Sequence, residues 1–126
     1  YLATASENAF LVFAIVFWKA SAFLLSLIFS FDSFVHIHKN VIDDYLSEIY
    51  RVLKPGGFGF IHHSWIYGGN EYSFINSGGR ANMSPELFKE LVETYGMEIV
   101  SQRPINFNPV FGWNGKDCIS TFMKMN

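Results

Sequence analysis

The chain has 126 residues, a formal net charge of −2 and one cysteine. That length can bury a real core but predicts only one small domain. The nine Lys and Arg side chains are scattered rather than clustered. This argues against nucleic acid as a partner, because no basic field would face a phosphate backbone. The single Cys118 excludes an internal disulfide, so we expect a reducing, cytoplasmic setting.

The beginning of the chain is an almost wholly apolar run from Ala9 to Phe31. It is long enough to span a bilayer, but Lys19 near its middle would cost about 2.5 to 3.5 kcal/mol on insertion. Three interpretations stay open, of which we favour the first: a buried helix or strand pair, a membrane segment, or a stretch foreign to the fold. We therefore separate an apolar segment, residues 1–24, from a domain over residues 25–126. Since the first residue is Tyr1 rather than Met, we expect a truncated sequence.

Two buried strands are predicted in the first half of the domain. The first covers about residues 25–30, because Leu24 to Phe29 is apolar without helical spacing and polar residues follow at once. The second covers Phe58 to His63. With a helix between them, the strands have the spacing of a right-handed crossover, which predicts a parallel sheet.

The helix between these strands is predicted from an apolar stripe that lies opposite a charged face. Asn40 is expected to cap its start. The turn Lys54-Pro55-Gly56-Gly57 should stop it, since proline cannot continue the hydrogen-bond ladder and glycine permits a tight turn. The stripe consists of Val41, Ile42, Tyr45, Leu46, Ile49, Val52 and Leu53.

A second helix and two further strands are predicted near the end of the chain. Ser84 as the N-cap and Pro85 at the first helical position open the helix, and Gly96 ends it. Strands from Met97 to Ser101 and from Asp117 to Lys124 are expected to pair as a hairpin.

A long segment without periodicity, residues 64–81, precedes this helix. It is rich in Gly, Ser, Asn and aromatic residues, and such a connection inside a compact domain is typical of a functional or mobile loop. We interpret it as a candidate lid. Arg80 could bind an anionic acceptor or be a solvated side chain. The aromatic residues that could form a roof over an acceptor, or simply pack, are Trp65, Tyr67, Tyr72 and Trp113.

Two phrases of the sequence carry a family resemblance. They are Phe29-Ser30-Phe31-Asp32-Ser33-Phe34-Val35-His36, and Arg51-Val52-Leu53-Lys54-Pro55-Gly56-Gly57 followed by a strand. Their order and spacing resemble the second half of class I S-adenosylmethionine (SAM)-dependent methyltransferases, over residues 25–126. The resemblance implies an α/β fold with a partial Rossmann-like methyltransferase sheet, made of strands 4 to 7 with flanking helices. It also implies SAM as the cofactor and methyl transfer as the activity.

The resemblance has a narrower form and a large departure. His62-His63-Ser64 with the closing Asp117 to Phe122 resembles a bacterial subgroup suspected of methylating sugars or other small hydroxylated acceptors. A complete family member, however, carries an acidic-x-Gly-x-Gly-x-Gly turn and a second acidic residue that holds the ribose. Neither occurs in these 126 residues. We therefore expect strands 1 to 3 to be missing or replaced by the apolar segment, and the chain to be inactive alone.

Candidate site residues follow the two parallel strands, because ligands gather at the carboxyl ends of such strands in open α/β sheets. By the resemblance, the first group faces the cofactor. For methyl transfer to a hydroxyl, a histidine suits the base that takes the proton. The cofactor group is Ser30, Phe31, Asp32 and Ser33, and the catalytic candidates are His36, His62 and His63.

Each candidate also has a structural interpretation. Neighbouring strand residues point to opposite faces, so at most one of His62 and His63 faces the ligand and the other packs under a helix. His36 could stabilise a turn, and Asp32 could form an Asx turn. No carboxylate or cysteine supplies a third ligand beside the histidines, so we expect no metal.

Two other functions remain open beside the enzyme. The chain could be a membrane-anchored or non-catalytic interaction module that uses its apolar segment. It could also associate obligately, as a homodimer or through its own apolar run, because the absent strands 1 to 3 would leave an apolar edge that aggregates when uncovered. For the enzyme, the expected partner is a small-molecule acceptor.

Overall fold

The computed structural model describes residues 25–66, 79–105 and 117–126. They form the predicted α/β fold. Predictions for residues 1–24 and for Tyr67, Tyr72 and Trp113 lie outside the described residues. In chain order the elements are β1 (Leu25–Ser30), a 3₁₀ turn (Phe34–His36), α1 (Lys39–Val52), β2 (Leu53–Ser64), α2 (Pro85–Thr94), β3 (Met97–Ile105) and β4 (Asp117–Lys124).

The four strands form one mixed sheet in the order β1-β2-β4-β3. β1 and β2 are parallel and connected through α1, which confirms the predicted crossover. β4 lies between β2 and β3 and is antiparallel to both, as expected for a last strand that pairs as a hairpin. β3 runs past the predicted Ser101 to Ile105. Pro104 is tolerated there because β3 has a partner on one side only among the described strands.

Helix α1 confirms the predicted apolar stripe, with differences at both ends. Its N-cap is His38 rather than Asn40, whose position lies inside the first turn. Val41 is exposed, because at this end of the helix its side chain points away from the sheet. At the other end Leu53 already belongs to β2 and pairs with Leu25.

The predicted Lys54–Gly57 turn is a distortion within β2 rather than a separate loop. Leu25 pairs with Leu53 while Leu27 pairs with Phe58, so the intervening residues of β2 bulge out of the ladder. Gly56 has a φ of 76°, a left-handed conformation that glycine adopts without strain.

The end of α1 is held by Lys124, the last residue of β4. Lys124 Nζ donates to the carbonyl oxygens of Tyr50 at 2.6 Å and Leu53 at 2.9 Å, and lies 4.1 Å from the Tyr50 ring centroid. A cation in this position satisfies carbonyls that lack a helical partner and opposes the negative end of the helix dipole.

Replacing Lys124 with methionine should therefore lower the free energy of unfolding by about 1 kcal/mol. The apolar stem is kept, so the loss reports the two hydrogen bonds and the charge. Urea denaturation followed by circular dichroism measures it. The matched control is Lys89→Met, whose ammonium makes an exposed 3.7 Å pair with Glu93 and should change stability less. Equal losses in both variants would contradict the capping role.

Helix α2 begins as predicted. The Ser84 side chain accepts a hydrogen bond from the Leu87 amide at 3.1 Å, and Pro85 occupies the first helical position. Gly96, with a φ of 78°, follows the helix and leads into β3.

Both helices pack on the same face of the sheet. Tyr95 Oη, just after α2, donates to Asp43 Oδ1 of α1 at 2.8 Å. Side chains from both helices surround Ile61 of β2 and Phe122 of β4, which are completely buried. No helix of the described ranges, 25–66, 79–105 and 117–126, is long and apolar enough to cross a membrane.

Candidate functional site

The carboxyl ends of β1 and β2 meet the first residue of β4 at one edge of the sheet. The loop after β1 contributes Asp32, the end of β2 contributes His62, and β4 begins with Asp117. Arg80, from the segment before α2, joins them. This edge is where an open α/β sheet binds ligands.

His62 is the centre of this cluster and is completely buried. Its Nδ1 accepts a hydrogen bond from the Asp32 amide at 3.1 Å, so this nitrogen carries no proton. The proton therefore sits on Nε2, which donates to Asp117 Oδ2 at 3.1 Å. The Phe31 ring lies against the imidazole, with centroids 4.5 Å apart. These contacts fix both the tautomer and the orientation of the ring.

Asp117 binds Arg80 through two hydrogen bonds while remaining almost completely buried. Arg80 Nε lies 2.6 Å from Oδ1, and a terminal guanidinium nitrogen lies 2.7 Å from Oδ2. Burial alone would raise the pKa of Asp117, but the hydrogen bonds from Arg80 and His62 and the positive charge of Arg80 outweigh it and hold that pKa below its ordinary value. Asp117 is thus a carboxylate that positions its two partners.

Asp32 has a φ of 60°, the one positive φ of a non-glycine residue in the described ranges. Left-handed backbone is unfavourable for most side chains and persists where the surroundings enforce it. Here the Asp32 amide is held by His62, which is held by Asp117 and Arg80. The resulting chain of contacts fixes the loop after β1.

The four predicted cofactor residues all lie in or beside this loop. Ser30 is buried at the end of β1, whereas Phe31 and Asp32 are exposed and Ser33 is half-buried. Ser33 Oγ donates weakly to the Phe31 carbonyl, at 3.5 Å. Phe31 and Asp32 thus present an aromatic ring and a carboxylate to solvent beside the buried His62.

His63 lies on the opposite face of β2 from His62, as the alternation of strand side chains predicts. It packs beneath α2, with its ring stacked on Phe88 at 4.2 Å and 13°. Nδ1 donates to the Ser64 carbonyl at 2.9 Å, so Nε2 accepts from the Ser120 hydroxyl at 2.7 Å. Burial first of all lowers the pKa of His63, to about 4. Of the two neighbouring histidines, His63 is therefore the one that packs under a helix.

The neutral His63 predicts a loss of stability in mild acid. Its pKa is about 4 when folded against an ordinary value of 6.5, so the unfolded chain takes up the proton first. Stability should fall as pH drops from 6.5 towards 4, by about 3 kcal/mol in total. Urea denaturation across this pH range measures the slope. His63→Gln does not titrate and should flatten it, and an unchanged slope in that variant would contradict the assignment.

His36 ends the 3₁₀ turn and is half-buried. Its Nδ1 lies 2.8 Å from the Gly79 carbonyl oxygen, which can only accept, so Nδ1 carries the proton. In the neutral imidazole Nε2 then carries the lone pair, and no residue that the structure describes forms a hydrogen bond with it. A neighbouring backbone bond, from the Ala81 amide to the Val35 carbonyl at 2.8 Å, fixes this turn against the segment before α2.

The candidate lid is anchored at both ends. Ser64 Oγ donates to the Ala81 carbonyl, and Ile66 forms an isolated bridge with Met83, with an N–O distance of 2.9 Å. Trp65 is half-buried. The centre of the segment, residues 67–78, lies outside the described residues.

Sequence reasoning missed the role of Asp117 and its pairing with Arg80. Arg80 was expected to be either an anion ligand or solvated, and the structure instead pairs it with Asp117. Asp117 was assigned to a strand and given no role. A signal was present, since an aspartate at the start of a strand that continues with Cys118 and Ile119 becomes buried and then needs a charged partner.

Comparison with known proteins gives a match of fold. No protein-family model and no curated protein matches the chain. A [4+2]-cyclase matches with a TM-score of 0.58 and 17% identity over 81% of this chain and 50% of its own. A cyclopropane synthase from Mycobacterium tuberculosis has a TM-score of 0.61 and 12% identity, over 85% and 58% of the chains.

A third match contains a bound cofactor product. It is the 1,6-didemethyltoxoflavin-N1-methyltransferase of Burkholderia thailandensis with S-adenosylhomocysteine (SAH), at a TM-score of 0.57 and 18% identity over 80% and 44% of the chains. The chain thus has the fold of part of a Rossmann-like methyltransferase domain, and it spans about half the length of these solved structures.

Proposed function

We propose that this chain forms the acceptor side of a cytoplasmic SAM-dependent methyltransferase that acts on a small hydroxylated molecule. The observation that supports it most is the cluster of Asp32, His62, Asp117 and Arg80 at the carboxyl ends of β1 and β2. The cluster lies on a sheet whose fold is shared with a methyltransferase that holds SAH. Ligands bind at this edge of open α/β sheets, outside the carboxyl ends of the strands.

The loop after β1 suits one edge of the cofactor. SAM carries a methyl group on a positively charged sulfur, which supplies the group to be transferred. The exposed Asp32 carboxylate offers a counter-charge for a cationic ligand, and the exposed Phe31 ring offers an apolar surface. His62 holds this loop by accepting the hydrogen bond of the Asp32 amide, and in this proposal it is a positioning residue. The acidic-x-Gly-x-Gly-x-Gly turn that would complete the cradle does not occur in the 126 residues.

His36 is the proposed general base among the three histidine candidates. Both ring nitrogens of His62 and of His63 are engaged in hydrogen bonds. The Gly79 carbonyl instead orients His36 with its proton on Nδ1, which leaves Nε2 able to take the proton of an acceptor hydroxyl. In this arrangement the hydrogen bond from Nδ1 to the Gly79 carbonyl fixes the tautomer in which Nε2 can act as the base.

The test of this proposal is activity in the protein expressed from its complete coding region, with SAM and a panel of small polyols, sugars and hydroxy acids. His36→Gln should lower kcat by at least about 100-fold, because a general base contributes that much. The control is His38→Gln, an exposed neighbour at the start of α1, which should keep full activity. Methyl transfer that survives His36→Gln unchanged would remove His36 from the mechanism, and a protein that never consumes SAM would contradict the function.

A further inference from the structure

The sheet face opposite the helices carries a large exposed apolar surface. Leu27, Phe29 and Phe58 are 59%, 62% and 40% exposed. They are neighbours, since Leu27 pairs with Phe58 and Phe29 pairs with Phe60 in the parallel ladder. The Phe29 and Phe60 rings stack with centroids 5.1 Å apart. We call these four side chains the open face.

Nothing among the described residues covers the open face. α1 and α2 both pack on the other side, around Ile61 and Phe122, and alternation along β2 places Phe58 and Phe60 away from them. β1 also pairs with β2 alone among the described strands. An apolar face beside an unpaired strand edge associates with something in a soluble protein.

We propose that residues Ala9–Phe23 of this same chain pack on the open face. These residues lie outside the described ranges and directly precede β1. Lys19 is their one charged residue. A segment that is apolar on all sides can be stable in water only when it is buried.

Length and connection favour this occupant. As a helix, fifteen residues would extend about 22 Å, close to the roughly 20 Å that a six-residue strand covers. Only Leu24 separates the segment from the first residue of β1, so its local concentration at the face is of the millimolar order for a short connection. A second copy at micromolar concentration would compete poorly. Insertion into a bilayer would bury the charge of Lys19. On the sheet, the methylene groups of Lys19 can be buried while its ammonium stays in water.

The test is limited trypsin digestion of the full 126-residue chain, with cleavage after Lys19 followed by mass spectrometry. If the segment packs on the open face, the Lys19–Ala20 bond should be protected from trypsin while the protein is a monomer. Phe29→Asp places a charge in the contact and should raise the cleavage rate at Lys19 by at least about tenfold, because proteolysis tracks the open population. The control is Val41→Asp, which adds the same charge at an exposed apolar residue on α1 and should leave Lys19 protected.

Further measurements separate the other outcomes. Circular dichroism shows whether Phe29→Asp keeps the fold, and Leu27→Asp serves as a second variant at an equally exposed position. Rapid cleavage at Lys19 in the unaltered chain would overturn the proposal. Protection that rises with protein concentration, together with a dimer in light scattering, would assign the face to a second copy. Protection that requires lipid vesicles would assign the segment to a membrane. Either the dimer result or the vesicle result would overturn the proposal. The inference does not depend on methyl transfer.

Discussion

Replacing Asp117 with alanine should lower the free energy of unfolding by about 3 to 5 kcal/mol. The carboxylate is 2% exposed and holds Arg80, whose side chain is 12% exposed, through two short hydrogen bonds. Its removal takes one acceptor from the poorly solvated guanidinium and from the His62 Nε2–H. The penalty comes mostly from the desolvation of these two donors rather than from lost attraction. Urea denaturation at neutral pH measures the change.

The double variant Asp117→Leu with Arg80→Met distinguishes this mechanism. It removes both charges, so its loss of stability should be far smaller than the sum of the single losses. The matched control is Glu48→Ala, which breaks the more exposed Arg51–Glu48 pair on α1, with an N–O distance of 3.0 Å, and should cost about 1 kcal/mol or less. If Asp117→Ala costs no more than Glu48→Ala, the buried cluster does not fix this edge of the sheet.

Replacing Gly59 with valine should destabilise the domain by about 3 kcal/mol or more, because overpacking a well-filled core is costly. A Cβ atom at position 59 would lie 2.1 Å from Cζ of Phe122. Gly59 and Phe122 are directly paired across β2 and β4, and the Phe122 ring crosses the glycine. The ring is completely buried and has Phe88 at 6.2 Å, so it cannot simply swing away. Thermal and urea unfolding measure the loss.

A smaller side chain at position 122 should partly rescue this variant. Phe122→Leu alone creates a cavity and costs stability, but combined with Gly59→Val it relieves the collision. The double variant should therefore lose less free energy of unfolding than the two single variants lose together. Gly56→Ala is the control. Its Cβ would meet nothing within 4 Å, and its φ of 76° should cost about 1 kcal/mol. Full additivity of the Gly59 and Phe122 changes would contradict the contact.

Most of the fold could be predicted because local and global signals agree. β1 and β4 occupy the predicted ranges, and the Ser84-Pro85 start of α2 is confirmed by its hydrogen bond. The differences arise where tertiary contacts, rather than local sequence, determine the end of a helix or strand. Leu53 continues an apolar helical stripe, but pairing with Leu25 draws it into β2. The strand predicted to end at Ser101 continues to Ile105, because an outer strand tolerates Pro104.

The edge of the sheet at which the candidate residues lie was predictable, but their contacts were not. The carboxyl ends of parallel strands directed attention to Asp32 and His62, and alternation predicted that at most one of His62 and His63 would face this edge, without deciding which. The pairing of Arg80 with Asp117 spans 37 residues, and no local pattern reports a contact at that separation. The tautomer of His36 depends on the Gly79 carbonyl. Only folding brings this carbonyl oxygen to 2.8 Å from His36 Nδ1.

Calorimetric titration of SAH tests the central claim most directly, in these 126 residues and in the chain extended by the coding region upstream of Tyr1. We expect the extended chain to bind SAH with micromolar affinity, and the 126 residues to bind at least about 100-fold more weakly. The reason is that the glycine turn, whose backbone amides approach the ligand closely, is absent from them. Micromolar binding by the 126 residues alone, or no binding by the extended chain, would contradict the account.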